Sequence, residues 1–235
     1  MAPIHSGLAS AIVAAGARLA ARGLIVAGEG NLSVRLPGDE LLITPTGRRK
    51  DELAASDLVI VPLTPAADAP EPLSGAPRPS SDVRIHRAVY RARPDVRAVV
   101  HAHVPAAMAL TLAGLRPDPA DLPETALLLP DLPLVPFGEM GSDELAARVA
   151  AAFGAAPAGG TLPRAVILER HGAVAVGSNA DGARAIADAS DALELVDVLC
   201  RVTRDAALLR AAGADSTGPQ AAERAKAPRS GSESS

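Results

Sequence analysis

The chain has 235 residues, of which 48% are hydrophobic, and this is enough for one domain with a substantial core. A net charge of −4, with one tyrosine, two phenylalanines and no tryptophan, counts against nucleic-acid binding, which needs a cationic surface and often uses stacking rings. No apolar run approaches the roughly 20 residues of a membrane span, and a single cysteine, Cys200, excludes an internal disulfide and fits a reducing compartment, so we expect a cytoplasmic protein without a membrane partner.

The N-terminal part of the chain combines one long helix with short strands. Apolar residues at helical spacing predict a helix over 5–22. Alternating apolar and polar residues predict strands over 32–36 and 40–44, which a Pro-Gly-Asp turn can join into a hairpin. A partly β-branched apolar run predicts a third strand over 58–63. The proline-rich stretch 66–79 is predicted to be a loop that can include a hairpin.

The middle of the chain starts with a helix and continues with a strand. Ser81 or Asp82 can cap a helix that ends at about residue 93, because Pro94 follows. The segment 96–104 is typical of a strand, and the segment 105–115 is typical of a helix.

The C-terminal part repeats this mixture of short strands and helices. In chain order we predict a strand over 132–135, a helix over 142–153, two strands over 165–168 and 173–176, and one or two helices over 181–212. Several predicted strands are neighbours along the chain, so much of the sheet should be antiparallel.

One domain is predicted over residues 1–212. The remaining segment, 213–235, is rich in glycine, serine, alanine, proline and charged residues, and it has no periodic apolar positions. Such a composition cannot bury enough apolar surface to offset the entropy of ordering the chain. We therefore predict that 213–235 is a disordered tail.

Two histidines on one predicted strand form the most informative motif. His101 and His103 lie in the sequence VVHAHV, and residues i and i+2 of a strand point to the same face. Two imidazoles that converge from a rigid strand can bind one zinc-like ion, and catalytic zinc sites usually have three protein ligands. By itself, the motif is also compatible with two half-exposed polar side chains.

His171 is the natural third imidazole. It lies between two predicted strands and precedes Gly172, which permits a tight turn and a close backbone approach. Asp82 can bind the same ion or act beside it as a base, although an aspartate at this position can also cap the helix. His86 follows Asp82 by four residues on the same helical face. We interpret His86 as a supporting residue, with a role as fourth ligand as the alternative.

Three short segments carry small residues whose backbone N–H groups and hydroxyls can bind a phosphate. They are 28–31 (GEGN), 44–47 (TPTG) and 79–81 (PSS). Each segment alone is also ordinary turn chemistry, and none matches the Walker or dinucleotide-binding fingerprints. Their occurrence together with a metal site favours an anionic substrate.

In these segments the chain resembles the class II aldolase and adducin family. The matching stretches agree with the family in order and spacing from about residue 5 to residue 210; they are GEGNLSVR (28–35), LLITPTG (41–47), the block 79–110 and ILERHGAVAVG (167–177). The block 79–110 is the most specific, because it carries the carboxylate and the two histidines in register. The resemblance implies an α/β fold, a three-layer α/β/α sandwich with a mixed, mostly antiparallel central sheet.

The resemblance also implies a function and a set of site residues. It implies Zn²⁺, or another divalent ion such as Mn²⁺ or Co²⁺, on His101, His103 and His171, with Asp82 as the catalytic carrier of a proton. It implies phosphate contacts at six residues of the three segments, which are Gly30, Asn31, Thr46, Gly47, Ser80 and Ser81. Family enzymes are typically homotetramers. The leading expectation is a lyase that cleaves a small phosphorylated ketose by an aldol reaction, through a metal-stabilised enediolate.

Two features depart from the family pattern. Asp82 stands where the aldolases usually carry glutamate, whereas the pentose-phosphate epimerases carry aspartate. Aldolases and epimerases both use tyrosines from a mobile loop or the C-terminal region, but the only tyrosine here is Tyr90, inside the helix that follows Asp82. The proton donor to the leaving group is therefore unassigned, and three acidic residues of the corresponding loop are candidates: Asp118, Asp121 and Glu124.

Other functions remain compatible with the sequence. A pentose-phosphate 4-epimerase is favoured by Asp82 and disfavoured by the missing tyrosines. A dehydratase or decarboxylase acting on a related sugar phosphate would use the same metal and enediolate chemistry. A non-catalytic, adducin-like interaction module is the alternative from another class, and it has no need for three histidines and a carboxylate. A metal bound only for stability is less compatible with three ligands and an open position.

Overall fold

The computed structural model describes residues 3–65, 77–156 and 160–216. Their strands form one sheet in the order β3-β2-β1-β4-β7-β6-β5, in which only β5 and β6 are parallel. The strands are β1 (Asn31–Leu36), β2 (Glu40–Ile43), β3 (Val59–Pro62), β4 (Ala98–Ala102), β5 (Leu134–Val135), β6 (Ala165–Leu168) and β7 (Gly172–Gly177). The helices are α1 (Pro3–Ala21), α2 (Val83–Ala92), α3 (Pro105–Leu112), α4 (Pro123–Leu128), α5 (Asp143–Gly154) and α6 (Gly182–Ser216).

Helices cover both faces of the sheet, which confirms the predicted three-layer α/β/α sandwich. The alternation of β4 shows how the sequence forms the layers, because successive side chains of a strand point to opposite faces. Ala98, Val100 and Ala102 belong to the core shared with α1, α3 and α6. Val99 belongs to the second core, which α2 and α5 cover. His101 has the same parity as Val99, so β4 directs it to the α2 side of the sheet.

Strand β4 lies at the centre of the sheet, and its neighbours bring the functional segments together. Asn31 of β1 is the cross-strand partner of His101, and Val174 of β7 is its partner on the other side. The β6–β7 hairpin places His171 at its tip, next to the end of β4. One buried strand with its two neighbours therefore positions a candidate site built from distant parts of the chain.

Most predicted elements are present, with ends shifted by a few residues. The strand predicted over 96–104 is shorter, so that His103 lies one residue beyond its end. The loop that follows α3 contains the short helix α4, which we did not predict, since six residues are too few to show a helical period. Helix α6 is a single helix that continues to Ser216, past the predicted domain end at 212.

Two predicted segments are only partly described. Of the proline-rich loop predicted over 66–79, residues 66–76 lie outside the described residues, and so do residues 217–235 of the predicted tail. Among the described helices, none is both long and apolar enough to cross a bilayer.

Candidate metal centre

The three histidines singled out from the sequence come together in one cluster. Their ring centroids form a nearly equilateral triangle with sides of 4.8 to 5.0 Å. One nitrogen from each of His101, His103 and His171 lies within 4.8 Å of the other two. His101 and His171 are buried, whereas His103 is partly exposed. The cluster is a possible metal site with one side open to solvent.

The hydrogen bonds of the cluster fit a metal ligand set. Nδ1 of His101 lies 2.9 Å from the carbonyl oxygen of Ala173 and can only donate to it, so Nε2 keeps its lone pair and faces the cluster. Nε2 of His101 and both ring nitrogens of His171 are buried and have no hydrogen-bond partner among the described residues. Buried polar atoms nearly always have a partner. Three such atoms at one place therefore fit a metal ligand set, because imidazole nitrogens suit a divalent transition metal.

The buried imidazoles are neutral near pH 7, which is the form that binds metal. Burial lowers the pKa of His101 to about 3. Burial, followed by the repulsion of His103, also lowers the pKa of His171. A metal would therefore not have to displace protons from these two rings at neutral pH.

Glycines allow the close approach of the backbone that forms the cluster. Gly172 has a φ of 131°, and a Cβ there would lie 2.2 Å from the carbonyl oxygen of Ala102. Its predicted role in a close backbone approach is confirmed. Arg170 adopts a φ of 58°, and its N–H donates to the hydroxyl of Thr111 at 2.9 Å. These contacts hold His171 against the end of β4.

Asp82 is at the N-cap position of α2, but its side chain makes no capping hydrogen bond. Its Oδ2 instead lies 3.9 Å from Nε2 of His101 and accepts a hydrogen bond from Nδ2 of Asn31 at 2.8 Å. Burial alone would raise the pKa of Asp82, but attraction from His101 and the Asn31 hydrogen bond outweigh burial and lower it. The capping interpretation of this side chain is therefore wrong, and the carboxylate is an ionised group beside the cluster.

A buried polar network continues behind Asp82. Oδ1 of Asn31 lies 2.5 Å from Nε2 of His86, and Nδ1 of His86 lies 2.6 Å from Oγ of Ser33. The Ser33 hydroxyl lies 2.9 Å from the hydroxyl of Tyr90. We call these five residues, from Asp82 to Tyr90, the Asp82 network. Both nitrogens of His86 are engaged in it, so His86 is a supporting residue and has no nitrogen left for a metal.

Tyr90 is at the far end of this network and is sequestered from solvent. Its side chain is 1% exposed, and its hydroxyl also donates to the carbonyl oxygen of Ser33 at 3.1 Å. Burial raises the pKa of Tyr90 well above its usual range. The only tyrosine of the chain therefore cannot reach a substrate as a proton donor.

The three predicted phosphate segments are neighbours in space. Ser80 N–H donates to the carbonyl oxygen of Thr44 at 3.2 Å, which joins the second and third segments. A Cβ on Gly28 would lie 3.2 Å from the backbone of Gly47, which joins the first and second. Of the six residues that the resemblance assigns to phosphate, Thr46, Gly47 and Ser81 are exposed, and Gly30, Asn31 and Ser80 are buried.

Lys50 lies beneath these segments, and sequence reasoning missed it. It is 1% exposed, and Nζ donates to the carbonyl oxygens of Gly28 at 2.9 Å and Arg48 at 2.7 Å. Among the described residues, no carboxylate pairs with it, and burial lowers its pKa to about 8. The chain has only one other lysine, Lys226, among many arginines, and this rarity is the signal that sequence analysis could have used.

Acidic residues around the cluster have different positions. Oε2 of Glu29, which we did not predict, lies 3.3 Å from Nδ1 of His103, at the open side of the cluster. The three acidic candidates for a proton donor are exposed; Asp118 and Asp121 lie in the connection between α3 and α4, and Glu124 lies in the first turn of α4. There, Oδ1 of Asp118 accepts a hydrogen bond from the N–H of Ala120 and caps a short 3-10 turn. A catalytic role for Asp118, Asp121 or Glu124 stays a prediction.

Comparison with known proteins identifies relatives with the same fold. The model of the Class II Aldolase and Adducin N-terminal domain matches residues 10–223. A methylthioribulose-1-phosphate dehydratase of Acidiphilium cryptum is 35% identical over 72% of this chain and 80% of its own. A 3-oxo-tetronate 4-phosphate decarboxylase of Cupriavidus necator is 35% identical over 72% and 74%. The crystal structure of an L-fuculose-1-phosphate aldolase from Thermus thermophilus has 33% sequence identity and a TM-score of 0.71, over 87% of this chain and 96% of that one.

Proposed function

The chain belongs to the class II aldolase and adducin family, and we propose that it is a divalent-metal-dependent lyase acting on a small phosphorylated ketose. The observation that carries the proposal is the convergence of three imidazoles, with buried and unpartnered nitrogens, beside an ionised carboxylate. A non-catalytic module would not require this arrangement. The names of three relatives specify phosphorylated sugar compounds as substrates, which supports the substrate class.

Each part of the site has a chemical role in this proposal. His101, His103 and His171 would hold Zn²⁺, or another divalent ion such as Mn²⁺ or Co²⁺. Such an ion, when bound, polarises a substrate carbonyl and stabilises the enediolate charge that develops next to it. Asp82 would carry a proton at its carboxylate. The three neighbouring phosphate segments would hold the substrate in position through their hydroxyls and through those N–H groups that are not engaged within the protein.

Aldol cleavage is the leading reaction. A base takes the proton of the hydroxyl β to the carbonyl, the C–C bond breaks to release an aldehyde, and its electron pair forms the enediolate. The enediolate carbon then takes a proton, and this gives the second product. Two proton transfers are needed, at two different atoms. Asp82 is the one carboxylate that we place beside the cluster with a fixed orientation, and it can serve one of the two transfers.

Dehydration is the second candidate, and two observations favour it. Tyr90 is buried and engaged with Ser33, so a tyrosine of this chain does not serve a second proton transfer. Elimination of water needs one proton removed from the carbon next to the carbonyl and one delivered to the departing hydroxyl. A single carboxylate such as Asp82 can do both in turn. The dehydratase from Acidiphilium cryptum is also among the most similar relatives.

The first test is metal content combined with a substrate screen on the wild type and on His103→Ala. Ketose 1-phosphates and pentulose 5-phosphates are offered, and the products are identified by mass spectrometry and NMR. Bound metal and a released aldehyde, both lost in the variant, would establish aldol cleavage. A product lighter by one water would establish dehydration, and an epimer would move the assignment to an isomerase. A wild type that binds no divalent metal would overturn the proposal.

A further inference from the structure

We propose that Asn31, His86 and Ser33 form a positioning chain that fixes the carboxylate of Asp82 for proton transfer. None of these three residues needs to touch the substrate or the metal to act in this way. The inference rests on the proposed function for the step that Asp82 performs. The direction of the hydrogen bonds within the chain is independent of the reaction.

The chemistry of each atom determines which way every hydrogen bond points. The carboxylate of Asp82 is an acceptor, so Asn31 must present its NH₂ group to Oδ2, at 2.8 Å. The carbonyl oxygen of Asn31 then faces His86 and can only accept, so the hydrogen of the ring is on Nε2, at 2.5 Å. Nδ1 of a neutral His86 accepts from the hydroxyl of Ser33 at 2.6 Å. The donors from Ser33 through His86 to Asn31 therefore all point toward Asp82.

Burial keeps this direction unique. His86 and Ser33 are both 0% exposed, and burial lowers the pKa of His86 to about 4, so its ring is neutral near pH 7. A second proton on His86 would make Nδ1 a donor, so the Ser33 hydroxyl would have to turn its hydrogen away, and it would also place a positive charge inside the protein, where burial makes charge costly. The Tyr90 hydroxyl closes the far end with a three-centre hydrogen bond: its single hydrogen is shared between the hydroxyl of Ser33 at 2.9 Å and the carbonyl oxygen of Ser33 at 3.1 Å. Ser33 then keeps its own hydrogen for Nδ1 of His86.

As a consequence, the carboxylate of Asp82 is held through only one of its two oxygens. Oδ2 accepts from Asn31 and faces His101 at 3.9 Å, whereas Oδ1 accepts no hydrogen bond from the described residues. We assign Oδ1 as the oxygen that takes and returns the proton. Both ends of the Asn31 amide are engaged in the chain, so its side chain supports Asp82. The assignment of Asn31 to phosphate stays a prediction.

Two substitutions of His86 separate positioning from packing. In His86→Gln the amide nitrogen can replace Nε2 as the donor to Asn31, whereas in His86→Asn the side chain is one methylene shorter and cannot reach it. We expect His86→Asn to lower kcat roughly 10- to 100-fold, the usual effect of removing a supporting partner, with KM and metal content unchanged. His86→Gln should keep most of the rate. Equal losses in both variants, or a loss of metal in either, would overturn the proposal.

Ser33→Ala tests the next link, and Ser190→Ala is the matched control. Both hydroxyls are fully buried, and that of Ser190 donates to the carbonyl oxygen of Ile186, within its own helix. We expect Ser33→Ala to lower kcat with KM unchanged and Ser190→Ala to leave kcat unchanged. Equal kcat values in the two variants would contradict the chain.

The tautomer of His86 provides a readout that needs no turnover. ¹⁵N NMR of the full-length, metal-loaded wild type should show His86 with its proton on Nε2, and Ser33→Ala should change the Nδ1 shift. A proton on Nδ1 would reverse the chain and overturn the proposal. If the wild type turned over none of the sugar phosphates, the proposed function would fail, and the tautomer would still decide the direction of the chain.

Discussion

The histidine cluster and the Asp82 network lie side by side, but their polar atoms are satisfied in opposite ways. In the cluster, three buried ring nitrogens of His101 and His171 have no partner among the described residues. In the network, consecutive side chains are joined at 2.5 to 2.9 Å. Unpartnered buried atoms indicate where a ligand belongs, whereas partnered atoms indicate a rigid support. The two regions should therefore fail differently when they are changed.

The largest effect is expected in the cluster. His171→Ala removes one of three metal ligands, so the purified variant should lose its metal and its activity together. The loss of rate should exceed the roughly 10²- to 10³-fold that removal of a single charge-stabilising donor causes. Metal content after dialysis and turnover measure the two effects. Stoichiometric metal in an inactive variant would show that His171 acts in some way other than as a ligand.

Asp82→Asn should separate the carboxylate from the metal. The substitution keeps the shape of the side chain and removes its ability to carry a proton, so we expect a fall in kcat of roughly 10²- to 10⁴-fold. Metal content should stay at the wild-type level, since the three imidazoles remain. Turnover and metal analysis on the same preparation test this. Metal loss as large as that of His171→Ala would instead make Asp82 a ligand.

A third prediction concerns the pH dependence of stability in the network. Burial lowers the pKa of His86 from 6.5 to about 4, so the unfolded state binds a proton at a higher pH than the folded state does. The free energy of unfolding therefore has its full value above pH 6.5. It falls as the pH decreases from 6.5 toward 4, by about 3 kcal/mol in total. Urea unfolding at pH 7 and pH 4.5 with a chelator present should show this loss.

His86→Gln is the control for that measurement, because glutamine does not titrate. The variant should lose less stability than the wild type between the two pH values, and the difference isolates His86 from the histidines of the cluster. The same pH dependence in both proteins would mean that His86 is not held in its neutral form by burial.

Local signals predicted most of the helices and strands and the common face of His101 and His103, whereas the three-layer fold and the complete set of three histidines were implied by the family resemblance. Alternating apolar residues predicted the strands, and the separation of His101 and His103 by one residue predicted a common face. The Asp82 network was not predicted beyond the supporting role of His86. Ser33 and Asn31 reach His86 only because β1 pairs with β4 and α2 packs over them. Such contacts join residues 51 to 57 positions apart, and no local pattern encodes them.

The smallest expected effect concerns substrate affinity. It belongs to Lys50, beneath the phosphate segments; this residue is part of neither the histidine cluster nor the Asp82 network. Lys50 is a buried ammonium without a carboxylate partner among the described residues. It donates to the carbonyl oxygen of Gly28, in the first phosphate segment, and to that of Arg48, which directly follows the second. An unpaired buried charge is destabilising by itself. A phosphate bound above these segments would offset that effect, and Lys50 would in turn stabilise the bound phosphate.

Lys50→Met should therefore raise KM about tenfold, which corresponds to about 1.4 kcal/mol, and leave kcat and metal content unchanged. Arg49→Met is the matched control, since it removes one positive charge from the exposed neighbour, which pairs with Asp51 and Glu52. Burial lowers the pKa of Lys50 to about 8, so the wild-type KM should also rise as the pH increases through 8, and this rise should be absent in Lys50→Met. Equal KM values in Lys50→Met and Arg49→Met would show that Lys50 joins the two segments but does not contribute to phosphate binding.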